Sequence, residues 1–108
     1  MTDIAATFSA LGDANRFAIV ERLLNEGELS AGCLQDSLLI SAPAVSRHLK
    51  VLRAAGVLHQ RIDAQRRLYS VRAEAVQTIS AWTMSHRAYW QSSLDRLEKA
   101  LLEEVNIP

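Results

Sequence analysis

The segment of residues 41–53, SAPAVSRHLKVLR, constrains the fold of this 108-residue chain more than any other segment does. Ser41 is a suitable N-cap, because its hydroxyl can accept a hydrogen bond from an otherwise unpaired amide of the first helical turn. An apolar stripe then recurs at positions i, i+4 and i+7, formed by Val45, Leu49 and Leu52. The segment therefore predicts an amphipathic helix over about residues 42–55.

The other side of this helix is short, polar and basic. Small residues come first, and the cations Arg47, Lys50 and Arg53 follow. A helix of this kind can approach a large anionic surface closely, as a helix in the major groove of DNA must do. Many surface helices carry cations without any ligand, so the interpretation as a recognition helix depends on the neighbouring sequence.

The next segment favours that interpretation. Gly56 is a typical residue at the end of a helix. Two β-prone runs, residues 57–62 and 67–71, flank a turn predicted at residues 63–66. A helix followed at once by a hairpin that carries Arg61, Arg66 and Arg67 is typical of a winged helix-turn-helix. The sequence thus predicts a wing over about residues 57–71.

Charge is concentrated in the same segment. The whole chain is neutral, with 12 Lys and Arg against 12 Asp and Glu. Residues 41–72 contain seven cations and one acid, which makes this segment +6 and the remainder −6. Such a distribution orients a protein on a polyanion, and a module that only binds other proteins has no use for it.

Length and composition exclude several other classes of protein. The chain predicts a single domain, residues 1–108, with 49% hydrophobic residues and no apolar run or leader that favours a membrane or secretory destination. A lone cysteine, Cys33, cannot form an internal disulfide, which agrees with the cytoplasm. No Gly-rich phosphate loop, His-Glu metal pair or nucleophile elbow is present, so we do not expect an enzyme.

Three shorter helices are predicted before the recognition helix. The first spans residues 3–11, the second is capped by Asp13 and ends near Gly27, and the third is capped by Ser30 and ends at Leu38. The third helix and the recognition helix form the helix-turn-helix. Glu28 and Leu29 are predicted as a stub of strand beside the wing.

The last segment predicts a helix over about residues 73–105 with no Gly or Pro inside it. Its apolar stripe extends beyond anything that a small winged domain could cover, so it needs a partner, and a symmetric homodimer through the first and last helices supplies one. The predicted fold is mostly α, a winged helix-turn-helix with about five helices and a two-stranded hairpin. The predicted dimer-interface residues are Ile4, Phe8, Leu11, Trp82, Tyr89, Trp90, Leu94, Leu97 and Leu101.

Four strings resemble the ArsR (arsenic-repressor-like) family of bacterial winged-helix transcriptional repressors: LGDANRFAIVERLL, ELSAGCL, SAPAVSRHLKVLRAAGVL and RRLYSV. The resemblance runs from about Phe8 to Val71. It implies a homodimer that binds double-stranded operator DNA through the recognition helix and wing, without a catalytic role.

The resemblance also implies which residues contact DNA. Ser46 and Arg47 stand at the base-reading positions, Lys50 and the wing arginines at phosphate-contacting ones, and Ala42 where an amide side chain is common. His48 stays open between a DNA contact and a packed side chain. The full predicted DNA-binding set is Ser41, Ala42, Ser46, Arg47, His48, Lys50, Arg53, Arg61, Gln65, Arg66 and Arg67.

No metal site or cofactor is predicted. Ser30 and Gly32 stand where one class of metal sensor in the family has a Cys-x-Cys pair, Cys33 is displaced by one residue, and the last helix has only His86. The string AWTMSHRAYWQSSLDRLEKAL resembles a metal-independent branch of the family. A sensor that responds to metal or to thiol oxidation is the alternative. The aromatic residues of the last helix either form the interface core or line a pocket for an unknown effector.

Overall fold

The computed structural model describes residues 3–105, and in that range it contains six α-helices and three β-strands. The helices are α1 (Ile4–Leu11), α2 (Ala14–Glu26), α3 (Ala31–Asp36), α4 (Ala42–Ala54), α5 (Ala73–Ser85) and α6 (Arg87–Val105). The strands are β1 (Leu29–Ser30), β2 (Leu58–Asp63) and β3 (Arg66–Val71). The chain divides into a first unit, residues 1–78, and a second unit, residues 79–108. The mostly helical winged helix-turn-helix fold is thus confirmed.

The predicted N-caps begin α2, α3 and α4. The Asp13 carboxylate accepts hydrogen bonds from the amides of Asn15 and Arg16, at 2.9 and 3.1 Å. The hydroxyl of Ser30 accepts one from the Cys33 amide, and Ser41 caps α4 in the same way. Each cap satisfies amides that a helix leaves unpaired at its first turn, which is why the sequence alone locates these helix starts.

The three strands form one antiparallel sheet in the order β1-β3-β2. The wing is the β2–β3 hairpin, whose pairing runs from Leu58 opposite Val71 to Asp63 opposite Arg66. The loop between the strands has two residues, Ala64 and Gln65, and with the paired Asp63 and Arg66 it makes up the four-residue turn predicted over residues 63–66. Cross-strand pairing and an Asp63–Arg66 ion pair of 3.1 Å extend both strands. The predicted stub at Glu28 and Leu29 begins one residue later and pairs with β3.

The core of the first unit lies between α2, α3, α4 and the sheet. Leu34 and Leu52 are fully buried, Ile19 and Leu58 are 1% exposed, and Leu49 is 2% exposed. The apolar stripe predicted for the recognition helix is confirmed as the buried face of α4. Burial of this stripe fixes which side of α4 faces solvent.

Helix α1 buries a face other than the predicted stripe. Thr7 and Ala10 are its buried residues, whereas Phe8 is 42% exposed and Ile4 and Leu11 are half-buried. Small side chains let α1 lie close to its neighbours in the first unit. The large apolar side chains of α1 are consequently left on the surface of the single chain.

The prediction of one unbroken helix over residues 73–105 was wrong, because the helix is interrupted at His86. The Trp82 carbonyl accepts a hydrogen bond from the Ser85 hydroxyl at 2.8 Å, and the His86 ring nitrogen Nδ1 lies 2.9 Å from it. The His86 amide instead bonds the carbonyl of Thr83, three residues back. Side chains that compete for a helical carbonyl in this way distort a helix without any Gly or Pro.

In the described part of the second unit, residues 79–105, no side chain is buried. Ile79 and Ser93 are half-buried, and the remaining residues are exposed. The exposed large apolar side chains of this unit range from 39% exposed, at Trp82, to 80% exposed, at Val105. Within those residues the second unit thus has no hydrophobic core of its own.

Candidate nucleic-acid interface

The side of α4 opposite the core is an exposed polar and basic face. Ala42, Ser46, Lys50 and Arg53 lie on it at i, i+4, i+8 and i+11, and all four are exposed. Arg47 is exposed beside them. We call these five residues the reading face.

The cations of the reading face have no partner among residues 3–105. Neither Arg47 nor Lys50 nor Arg53 makes a hydrogen bond or ion pair to another described side chain. Their charges are therefore available to an external anion. An Arg side chain can also donate two parallel hydrogen bonds to the major-groove edge of guanine.

Arg61 of the wing is held by an acidic partner. Its Nε and Nη2 atoms donate to the two carboxylate oxygens of Glu28, each at 2.7 Å. These hydrogen bonds hold the pKa of Glu28 below its ordinary value and raise the pKa of Arg61. The ion pair joins β2 to the residue before β1, and Arg61, which was predicted to contact DNA, remains 51% exposed.

The wing tip carries the remaining predicted residues in exposed positions. Gln65 lies in the two-residue turn, and Arg66 donates to Asp63 at 3.1 Å while its side chain remains 65% exposed. Arg67 is exposed, and its side chain has no hydrogen-bonded or ionic partner in residues 3–105. Arg67 pairs across the hairpin with Ile62, which is 70% exposed. The wing tip therefore presents cations beside an apolar side chain.

His48 lies apart from the reading face. Its side chain is 19% exposed, its Nδ1 atom lies 3.4 Å from Arg16 Nη1, and Asp13 Oδ1 lies 3.9 Å away. Arg16 in turn donates from Nε to the Ala10 carbonyl at 2.7 Å. The hydrogen bond from the Arg16 amide is the main cause of the lowered pKa of Asp13, and the electrostatic interaction with His48 lowers that pKa further. This position agrees with the packed alternative for His48, as a link between α4 and the start of α2.

The partners of Arg61 and His48 lie far from them in the sequence and were not predicted. Glu28 lies 33 residues before Arg61, and Arg16 lies 32 residues before His48. The strand stub beside the wing was the one signal that Glu28 comes near β2, since it places the neighbouring residue in the same sheet. No local pattern indicated the contact between Arg16 and His48.

The residues considered for a metal site do not come together. In residues 3–105 no group of three or more His, Cys, Asp or Glu side chains is close enough to hold a metal ion. Cys33 is exposed, and its carbonyl accepts a hydrogen bond from the Arg22 guanidinium. The His86 ring lies 4.9 Å from the Trp82 ring, centroid to centroid.

Comparison with known proteins agrees with this arrangement. A family model described as a helix-turn-helix domain matches residues 11–61. The regulator Rv2034 of Mycobacterium tuberculosis is 38% identical over 89 residues, which cover 78% of this chain and 82% of the relative. The transcriptional repressor SdpR of Bacillus subtilis is 31% identical over 78 residues, 72% of this chain and 86% of the relative. The crystal structure of an ArsR family regulator, RHA00566, matches with a TM-score of 0.73 at 22% identity, over 81% of this chain and 94% of that one.

The fold, the reading face and these likenesses define a winged helix-turn-helix, DNA-binding transcriptional regulator. The relatives are regulators rather than enzymes. The chain belongs to the ArsR family, whose members bind operator DNA, typically as dimers. No helix in residues 3–105 is both long enough and apolar enough to cross a membrane.

Proposed function

We propose that this protein is a homodimeric cytoplasmic repressor that binds its operator without a metal ion. The observation that carries the proposal is the reading face of α4, whose exposed cations lack intrachain partners in the described residues. A relative named as a transcriptional repressor supports the direction of regulation. Repression follows when the bound dimer occupies DNA that RNA polymerase needs.

On DNA, the two elements have different tasks. Ser46 and Arg47 read base edges in the major groove, and each good bidentate contact discriminates by about 1–3 kcal/mol. Lys50, Arg66 and Arg67 contact phosphates, which hold the register of the protein without reading sequence. Arg61 has no direct contact with DNA in this proposal, because its guanidinium is engaged by Glu28.

Dimerisation through α1 and α6 supports the proposal on energetic grounds. The Phe8 side chain of α1 is 42% exposed, and Leu94, Leu97 and Leu101 of α6 are each more than half exposed in the single chain. Burial of such side chains between two copies is favourable by about 25 cal/mol per Å² of apolar surface. A two-fold dimer would place its recognition helices roughly one helical turn of DNA apart.

The independence from metal rests on the ligands available. A soft or borderline metal normally takes three or four convergent nitrogen or sulfur ligands, and the described residues contain no such group. The alternative is a sensor of the same family that responds to metal or thiol oxidation. The exposed thiol of Cys33 is the observation in its favour.

A titration of chelator-treated protein against the DNA upstream of its own gene tests the proposal. We expect tight binding that weakens with salt, is unchanged by zinc, and is the same under reducing and oxidising conditions. Release of DNA by zinc or by an oxidant would favour the sensor alternative. A reporter under this promoter should be silenced by the protein, and its activation would contradict the assignment as a repressor.

Two matched substitutions test the division of tasks. Arg47→Ala should reduce the preference for operator over random duplex by about 1–3 kcal/mol. Arg67→Ala should weaken binding to all duplexes alike and lower the slope of log K against log salt by about 0.9. If both variants bind every duplex as the parent does, the assignment of the reading face and the wing is wrong.

A further inference from the structure

An open cleft lies between the C-terminal half of α4 and the base of the wing. Its volume is about 460 Å³, and its polar lining is Lys50, Arg53, His59, Gln60 and Arg72. Ala54 and Leu58 complete the lining, which includes no carboxylate. We call this the wing-base cleft. Three permanent cations around a space of this size attract an anion.

The cations of the wing-base cleft are not neutralised by direct pairing. In residues 3–105, Lys50, Arg53 and Arg72 have no ion pair within 4.0 Å. Asp3 and Glu74 line an adjoining cleft of about 570 Å³ together with Arg53 and Arg72, but neither acid reaches a guanidinium at ion-pair distance. The charges of these three side chains are therefore available to an external anion.

The backbone around the wing-base cleft is held in place. The Val57 amide donates to the Leu52 carbonyl at 2.9 Å, and the Arg72 amide donates to the Val57 carbonyl at 2.8 Å. Leu52 is fully buried, and Val57 is 2% exposed. The end of α4 and the end of β3 are thus tied together, so little ordering of the backbone is needed when a ligand binds.

We propose that the wing-base cleft binds a phosphate group. Guanidinium and ammonium groups together suit phosphate, because Arg can donate two parallel hydrogen bonds and Lys acts as a compact charge. Lys50 and Arg53 belong to both the reading face and the cleft, so the cleft continues the surface proposed for DNA. We expect the bound phosphate to be one of the DNA backbone, and this expectation rests on the proposed function. A free phosphate ion has the same chemistry and is the alternative ligand.

Pyrophosphate tests the site independently of DNA. We expect the backbone amide NMR signals of His59, Gln60 and Arg72 to shift on titration of the full-length protein with pyrophosphate. Arg72→Gln should abolish most of these shifts, and Arg72→Lys should restore part of them. Arg96→Gln is the matched control, because Arg96 lies on α6 and its side chain bonds Ser93 there, at 3.2 Å.

A duplex tests the expected source of the phosphate. On a duplex selected by the parent protein from a random pool, Arg72→Gln should lower the slope of log K against log salt by about 0.9, the value for one phosphate. Arg96→Gln should leave the slope unchanged. If Arg72→Gln does not fold, His59→Glu replaces it in both titrations, because His59 is exposed in the same cleft and lies outside the reading face.

The two titrations separate the possible failures. Pyrophosphate shifts together with a reduced salt slope support a backbone phosphate in the cleft, and shifts without a reduced slope support a free phosphate there. Binding of pyrophosphate by a parent protein that binds no duplex would overturn the proposed function but not the cleft. If Arg72→Gln behaves as Arg96→Gln does in both titrations, the proposal is wrong.

Discussion

The two units of the chain differ in how far they bury their apolar side chains. In the first unit, Leu34 and Leu52 are fully buried, and Ile19 and Leu58 are almost so. In the described part of the second unit, no side chain is buried, and Trp90 and Leu97 are 50% and 57% exposed. The first unit stabilises itself, whereas α6 exposes an apolar surface that a second chain could cover.

This difference indicates that the first unit supplies the folding stability, whereas α6 supplies the surface proposed for dimerisation. Orientation of the reading face depends on the buried stripe of α4, which lies entirely inside one chain. In the proposed dimer, pairing of two reading faces depends instead on surface that a single chain leaves uncovered. Substitutions in the first unit should therefore act on folding, and substitutions in α6 should act on assembly.

The largest expected effect comes from Leu34→Ala. Removal of this fully buried side chain should lower the free energy of unfolding by about 2–5 kcal/mol, because it leaves a cavity in the core. The matched variant Leu97→Ala, on the exposed face of α6, should act mainly on the dimer. Denaturation at two protein concentrations separates them, since only the effect of Leu97→Ala should change with concentration. If both variants lost the same stability at both protein concentrations, the contrast between a first unit that stabilises itself and an α6 that depends on a second chain would be wrong.

A charged side chain in α6 should affect assembly more strongly. Leu97→Glu should raise the dimer dissociation constant by at least about tenfold, because a carboxylate would be buried without a partner. Sedimentation velocity measures the change, and circular dichroism should still report a folded first unit. A variant that remains fully dimeric would contradict the assignment of this face, and Lys99→Glu in the same helix is the control.

Acid should weaken the first unit through Glu28. Its pKa is lowered from an ordinary value of 4.5 by the hydrogen bonds from Arg61, so the unfolded chain takes up the proton first as the pH falls. The contribution of the pair is present above that value and is lost as the pH falls through the lowered pKa. Glu28→Gln should therefore reduce the fall in Tm between pH 5 and pH 3. Glu98→Gln in α6 is the control, and equal slopes for both variants would contradict the prediction.

The smallest expected effect is at the wing turn. Ala64 has a φ of +57°, in the left-handed region that disfavours an L side chain. Ala64→Gly should stabilise the protein by about 0.5 kcal/mol, because the relief of strain exceeds the added entropy of the unfolded chain. Thermal unfolding measures the gain. A loss of stability would mean that the Ala64 methyl group makes a contact worth more than the strain.

Local patterns were sufficient to predict much of the fold and part of the site. Capping chemistry located the starts of α2, α3 and α4, and the spacing of Val45, Leu49 and Leu52 identified the face of α4 that is exposed. The interruption at His86 was not predictable from Gly or Pro content. It depends on which side chains reach the Trp82 carbonyl.

The sequence by itself determined the recognition helix, the wing and the concentration of cations between residues 41 and 72, because these features depend on neighbours within a few residues. Only the tertiary structure decided which cations are available. It engages Arg61 with Glu28, places His48 against Arg16, and places Arg72 in the same cleft as Arg53. Each of these arrangements involves residues far apart in the chain, and the packing of the helices against the sheet brings them together.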